Sequence, residues 1–240
     1  MSGHSHWATH KHQKGINDAK RGAIFTKYGR LITIAAREGG SGNPDMNFKL
    51  RLAIDQAKGV NMPKENIERA IKVGTGDSKD GATIEEILYE GYGPGQVALI
   101  IETATDNRNR TVSEIKSTLT KGNGKFAATG SVSFMFRRVG LITFSLEKYS
   151  TETLELETIE SGADDFFVTD EVFVVITAID KLQTVEGYFR NKNLICESAE
   201  LGYIPLQTVT PSEEDITSLE KLLETFEENP DVQRVWNNLS

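Results

Sequence analysis

The chain has 240 residues, 38% of them hydrophobic and 26% charged, with a single cysteine and a net charge of −8. That is the composition of a globular protein large enough for two or three small domains, and Cys196 alone cannot close an internal disulfide. No apolar run approaches the roughly 20 residues of a membrane span, and the N-terminus lacks the apolar segment of a secretory signal, so a cytoplasmic protein without a membrane partner is expected.

The charge is unevenly divided. Residues 1–79 hold 14 Lys plus Arg against 7 Asp plus Glu, net +7, and residues 80–240 hold 13 against 28, net −15. A basic first third on an acidic body suggests a module for a polyanion joined to parts with a different task. Two oppositely charged solvated surfaces are the plainer alternative.

Residues 2–15 have no helical period and are expected to form a flexible arm. The arm holds all four histidines, His4, His6, His10 and His12, together with Trp7, Lys11 and Lys14. From Ile16 the period changes. Ile24, Tyr28, Leu31 and Ala35 fall on one helix face with Phe25 and Ile32 beside it, while Lys20, Lys27, Arg30 and Arg37 share a neighbouring face. Arg21 adds to this positive charge.

Gly39–Pro44 breaks the first helix. A second is expected from Pro44, with Asn43 as its cap, and Met46, Leu50, Ala53 and Ala57 make its apolar repeat up to Gly59. A third runs from Pro63 with Ile67, Ala70 and Ile71 apolar. Gly74–Gly81 reads as a linker, which closes a three-helix domain over residues 1–79.

Beyond the linker the apolar residues alternate. Strands are expected at Ile84–Tyr92 and Gln96–Thr103 around the turn Gly91–Gln96, then a helix from Thr111 with Thr111 and Glu114 as a capping box. The next stretch reads strand (Val132–Phe136 and Gly140–Leu146), helix (Thr151–Ser161), strand (Asp165–Val168), strand (Val172–Ile179), helix (Leu182–Lys192) and strand (Ile195–Leu201). This is the β-α-β-β-α-β order of ferredoxin-like domains. A strand at Leu206–Val209, a helix capped by Ser212 and Asp215, and a segment Val232–Leu239 end the chain. The expected division is therefore 1–79, a discontinuous domain of 80–130 plus 206–240, and an inserted domain of 131–205.

No catalytic constellation is evident: there is no G-x-S-x-G elbow, no H-E-x-x-H, and no phosphate loop with Lys-Ser/Thr. With every histidine in the arm, no buried relay can be built, so neither an enzyme nor a cofactor is expected. The spacing H-x-H-x3-H-x-H could hold Zn or Ni, but no Cys or close carboxylate completes the set; partial protonation toward phosphate is the better reading and no metal is expected. Trp7 either stacks on a base or fills a gap in the core. The segment Thr103–Thr111, with Arg108 and Arg110 at a strand-to-helix junction, is either functional or a capped helix start with solvated arginines.

The runs Ser2–Ile32, Asn43–Gly76, Tyr89–Thr111 and Gly130–Gly140 together resemble the YebC/PmpR family, and the match extends over nearly the whole chain to PDVQRVWNNL at residues 230–239. The resemblance implies an α+β protein of three domains in a crescent: an N-terminal three-helix domain followed by two ferredoxin-like α+β domains, one of them discontinuous. It implies a cytoplasmic DNA-binding transcriptional regulator; mitochondrial relatives activate translation of a cytochrome oxidase subunit, and bacterial members have been linked to ribosomes stalled at proline-rich sequences. His6, His10 and His12 depart from the basic or other side chains common in relatives, which makes the arm less fixedly charged.

Two functional readings stand. In the first, the chain is a non-enzymatic DNA-binding transcriptional regulator whose acidic domains dimerise or recruit a partner, although no helix-turn-helix signature is evident. In the second, it is a ribosome-associated translation factor that meets rRNA or tRNA through its basic arm. In both, the contacting residues are expected to be His4, His6, Trp7, His10, Lys11, His12, Lys14, Lys20, Arg21, Lys27 and Arg30.

Overall fold

The computed structural model describes residues 18–77 and 83–240. The described residues form seven α-helices and eight strands, the strands in two four-stranded antiparallel sheets. This is the expected α+β class. The chain divides into two compact units.

Among the described residues the larger unit comprises 18–133 together with 211–237. It begins with three helices, α1 (Asp18–Glu38), α2 (Phe48–Gly59) and α3 (Lys64–Gly74). Ile32, Ala35 and Ala36 of α1 pack with Leu50, Ala53, Ile54 and Ala57 of α2 and with Met62, Ile67 and Ala70 from α3 and the turn before it. Burial of this apolar surface holds the bundle together. Helix α3 crosses α1 closely at Gly74, where a Cβ would stand 2.4 Å from the Thr33 carbonyl oxygen.

Helix α2 starts later than the sequence suggests. Its cap is Asn47, not Asn43, and Met46, expected on the apolar face, is 79% exposed. The reason is that Asn47 serves two helices. Its Oδ1 accepts from the Leu50 N–H at 3.1 Å, and its Nδ2 donates to the Ala35 carbonyl at 2.8 Å and to Ser41 at 3.1 Å. It thus caps the start of α2 and ties it to the last turn of α1.

The sheet of this unit is built from β1 (Glu85–Tyr92), β2 (Ala98–Thr105), β3 (Lys125–Ala127) and β8 (Val232–Asn237) in the order β3-β1-β2-β8. Strand β3 is an addition to the sequence reading. Helices α4 (Arg108–Lys121) and α7 (Glu213–Glu227) cover one face through Ile115, Leu119, Leu219, Leu222 and Phe226. Helix α4 begins earlier than expected. Asn107 caps it by accepting from the Arg110 N–H at 3.1 Å, and Thr111 is buried inside the helix rather than at its cap.

The smaller unit comprises 134–210 and 238–240 among the described residues. Its elements are β4 (Phe136–Ser145), α5 (Thr151–Ser161), β5 (Asp165–Val168), β6 (Val172–Thr177), α6 (Leu182–Asn191) and β7 (Ser198–Pro205). The sheet order β5-β6-β4-β7, antiparallel throughout, is the ferredoxin-like arrangement. Strand β4 is one strand where two were expected, and it begins only at Phe136. The amides before it are used elsewhere: Glu90 of β1 accepts from Gly130 at 2.7 Å, Val132 at 2.5 Å and Ser133 at 3.1 Å. The strand expected at Leu206–Val209 reduces to a single bridge, Val209 to Leu239, and β7 lies at Ser198–Pro205 instead of starting at Ile195.

Candidate nucleic-acid interface

Helix α1 runs from the basic N-terminal stretch into the bundle, and one of its cations fixes where it lies. Arg30 is 12% exposed in its side chain. Its Nη1 donates to a carboxylate oxygen of Asp231 and, at 2.9 Å, to the Pro230 carbonyl. Its Nη2 lies 3.7 Å from Asp106.

Asp231 is the hub of this cluster and is almost wholly buried. Besides Arg30 it receives Arg110 of α4, with Nη2 at 2.8 Å, and the hydroxyls of Thr111 at 2.6 Å and Thr105 at 3.1 Å. Burial by itself would push the Asp231 carboxyl up. The hydrogen bonds from Thr111, Arg110 and Arg30, with the charge of Arg30, outweigh it and hold the pKa below the usual aspartate value. Arg110 is correspondingly held more firmly protonated by hydrogen bonds to Asp231 and Asp106.

The cluster therefore joins α1, the β2–α4 junction and the start of β8. Of the two arginines singled out at that junction, Arg110 is bound into it and Arg108 is exposed. A second contact of α1 lies at its C-terminal end, where Glu38 pairs with Lys49 at 2.8 Å and its charge acts on Glu86 of β1. Although Glu86 is exposed, partial desolvation, and then the Glu38 charge, push its carboxyl above its ordinary value.

The residues expected to meet a polyanion are placed as follows. His4, His6, Trp7, His10, Lys11, His12, Lys14 and the Lys20 side chain lie outside the described residues. Arg21 is exposed, with its guanidinium 5.8 Å from the centre of the Phe25 ring. Lys27 is half-buried. Arg30 is engaged with Asp231.

Three cations outside the expected contact set stand exposed on the bundle: Arg37 of the basic stripe, at the end of α1, and Arg69 and Lys72 on α3. The remaining bundle cations have local partners: Lys58 lies 3.4 Å from Asp55, Lys64 lies 3.6 Å from Glu68, and Arg51 stands over the Phe48 ring. Arg69 and Lys72 were legible as charges. Their exposure on one helix follows from Ile67 and Ala70 taking its inner side. Among the described residues no helix is long and apolar enough to cross a membrane.

Comparison with known proteins covers nearly the whole chain. Residues 5–77 match the family model described as the TACO1/YebC protein N-terminal domain, and residues 84–239 match the TACO1/YebC second and third domain. A protein of Syntrophomonas wolfei named "Probable transcriptional regulatory protein" is 46% identical over 243 residues, covering 100% of this chain and 96% of its own. One of Chloroflexus aurantiacus with the same name is 47% identical over 241 residues, with 100% and 95% covered. The crystal structure of a conserved hypothetical protein Aq1575 from Aquifex aeolicus superposes with a TM-score of 0.90 at 43% identity, covering 98% of this chain and 97% of that one.

Proposed function

The chain belongs to the TACO1/YebC family, and from that membership we propose that it is a non-enzymatic, cytoplasmic regulator of gene expression that binds DNA through its basic N-terminal third. The observation that supports this most is the set of exposed cations on the helical bundle, Arg21, Arg37, Arg69 and Lys72. They continue the charge of the arm that carries Lys11 and Lys14. Arg30 has a different task in this reading: it anchors α1 through Asp231, so that the bundle presents its cations from a fixed platform.

Contacts of this kind are made to phosphate and are independent of base sequence. The test is equilibrium binding of duplex DNA to the full chain over a salt series. Each lost phosphate contact lowers the slope of log K against log salt by about 0.9. Substituting Arg37, Arg69 and Lys72 together by Glu should lower it by up to about 3 and weaken binding to any duplex sequence alike. An unchanged slope would remove the bundle from the interface. Sedimentation of cell extract with and without RNase separates the ribosomal alternative: migration with ribosomes, abolished by RNase and by the same substitutions, would replace DNA by RNA as the partner.

A further inference from the structure

The smaller unit is acidic, with 6 Lys plus Arg against 13 Asp plus Glu in residues 134–210 and 238–240. Three of its cations are neutralised within it: Lys148 lies 3.9 Å from Glu197, Lys192 lies 3.1 Å from Glu157, and Arg190 pairs with Glu186. Arg137 and Arg138 are both exposed and have no acidic partner among the described residues.

Their setting is unusual for the sheet. Pairing of β4 with β6 begins at Gly140, so Phe136–Val139 is paired with β7 alone, Arg137 opposite Ile204 and Arg138 opposite Tyr203. This stretch is a two-stranded ribbon with one free edge on β4. Alternation places Arg137 on one face of that edge and Arg138 on the other. At the end of the ribbon Phe134 is 70% exposed and Leu206 61% exposed, and the Leu206 N–H donates to the Met135 carbonyl at 2.9 Å.

Two arginines without an anion on an otherwise acidic surface, next to an exposed phenyl ring, complement a phosphate backbone with an unpaired base. Guanidinium groups take phosphate oxygens in a bidentate fork, and an aromatic ring offers a stacking face to any base not held in a duplex. We propose that this ribbon is a second nucleic-acid site, specific for a single-stranded polynucleotide laid along the free edge of β4, with Phe134 stacking on a base and Arg137 and Arg138 holding phosphates. The site shares with the function proposed above only the class of partner. It uses different residues and a different form of nucleic acid.

The test is fluorescence anisotropy of the full chain with labelled single-stranded RNA and single-stranded DNA of about 15 nucleotides and with duplex DNA. Phe134→Ala should weaken binding to single strands about 5- to 20-fold and leave duplex binding unchanged. Arg137→Gln with Arg138→Gln should lower the salt slope on single strands by about 1.4. Ultraviolet crosslinking of the wild-type chain to a single strand, mapped by mass spectrometry, should label the peptide that contains Phe134; a label confined to other peptides counts against the site without relying on any variant.

Single-strand binding that both ribbon variants leave intact would overturn the proposal, as would an equal loss on duplex. So would self-association in sedimentation that Phe134→Ala abolishes while oligonucleotide binding persists, since the patch would then belong to a second copy. Substitution of Arg37, Arg69 and Lys72 is the independent control. A loss of single-strand binding confined to that variant overturns the ribbon site; a loss of single-strand binding confined to the ribbon variants supports it, whatever happens to duplex binding.

Discussion

Arg30 of α1 and Asp231 at the start of β8 stand 201 positions apart in the chain and form one ion pair, with side-chain exposures of 12% and 2%. Neither charge has enough water around it to be stable alone. Arg110, Thr105 and Thr111 take up the remaining oxygen lone pairs, so the pair is fully hydrogen-bonded.

Removing the acid leaves two arginines that share only the half-exposed Asp106 as a counter-ion. Asp231→Asn is expected to cost about 3 kcal/mol, the lower end of what is seen when one partner of a buried pair is lost, because Arg110 is half open to solvent. Denaturant unfolding measures the loss. Amide exchange should show it first in α1, which Arg30 would no longer hold.

The same pair sets an acid limit. The folded pKa of Asp231 is lowered from 3.8, so its stabilisation is fully present above that value and is lost as the pH falls through the lower folded value. The stability gap between wild type and Asp231→Asn should therefore stay constant from about pH 7 to about pH 5 and close only in the acid range below. A gap that closed near neutrality would assign the effect to another group.

Glu86 behaves in the opposite sense. Its folded pKa is raised from 4.5 by partial desolvation and by the Glu38 charge, so the folded state favours its protonated form and stability falls as the pH rises through the folded value. Glu86→Gln removes the like charge beside Glu38. It should raise the melting temperature at neutral pH, and the gain should vanish as the pH falls below 4.5. A thermal melt at three pH values decides it.

Two glycines of the bundle should respond oppositely to alanine. At Gly74 the added methyl would stand 2.4 Å from the Thr33 carbonyl oxygen, and α1 and α3 would have to separate. A loss of about 2 kcal/mol is expected, as for other overpacked contacts. At Gly59 nothing lies within 4 Å. There alanine should stabilise by about 0.5 kcal/mol, through the smaller entropy of its unfolded chain. Denaturant midpoints of the two variants give the comparison.

What could be read from the sequence was local. Helix α5 and strand β5 follow from spacing alone, and α7 from Ser212, whose hydroxyl accepts from the Asp215 N–H at 3.2 Å. What could not be read depends on partners far along the chain. Asn43 and Asn47 look alike as caps, and only the Ala35 carbonyl decides for Asn47. Arg137 and Arg138 interrupt the apolar alternation and so suggest a break in β4, whereas the strand runs on as a ribbon that has no second neighbour. Arg30 reads as one cation of a basic stripe until Asp231 is brought to it. Nothing near Asp231 in sequence announces that it has two arginines for partners.

The interleaving of the two units has a consequence for the order in which the chain can fold during synthesis. All four strands of the smaller sheet are made within residues 136–205, so that unit can close while the remainder is still being translated. The other sheet must wait. Strand β2, complete by Thr105, has one edge vacant until β8 arrives at residues 232–237. During that interval the apolar run Ala98–Ile101 is a template for pairing with the wrong chain. Asp231 enters at the same moment as β8, so the arrival of this one strand both closes the sheet and sets the anchor of α1.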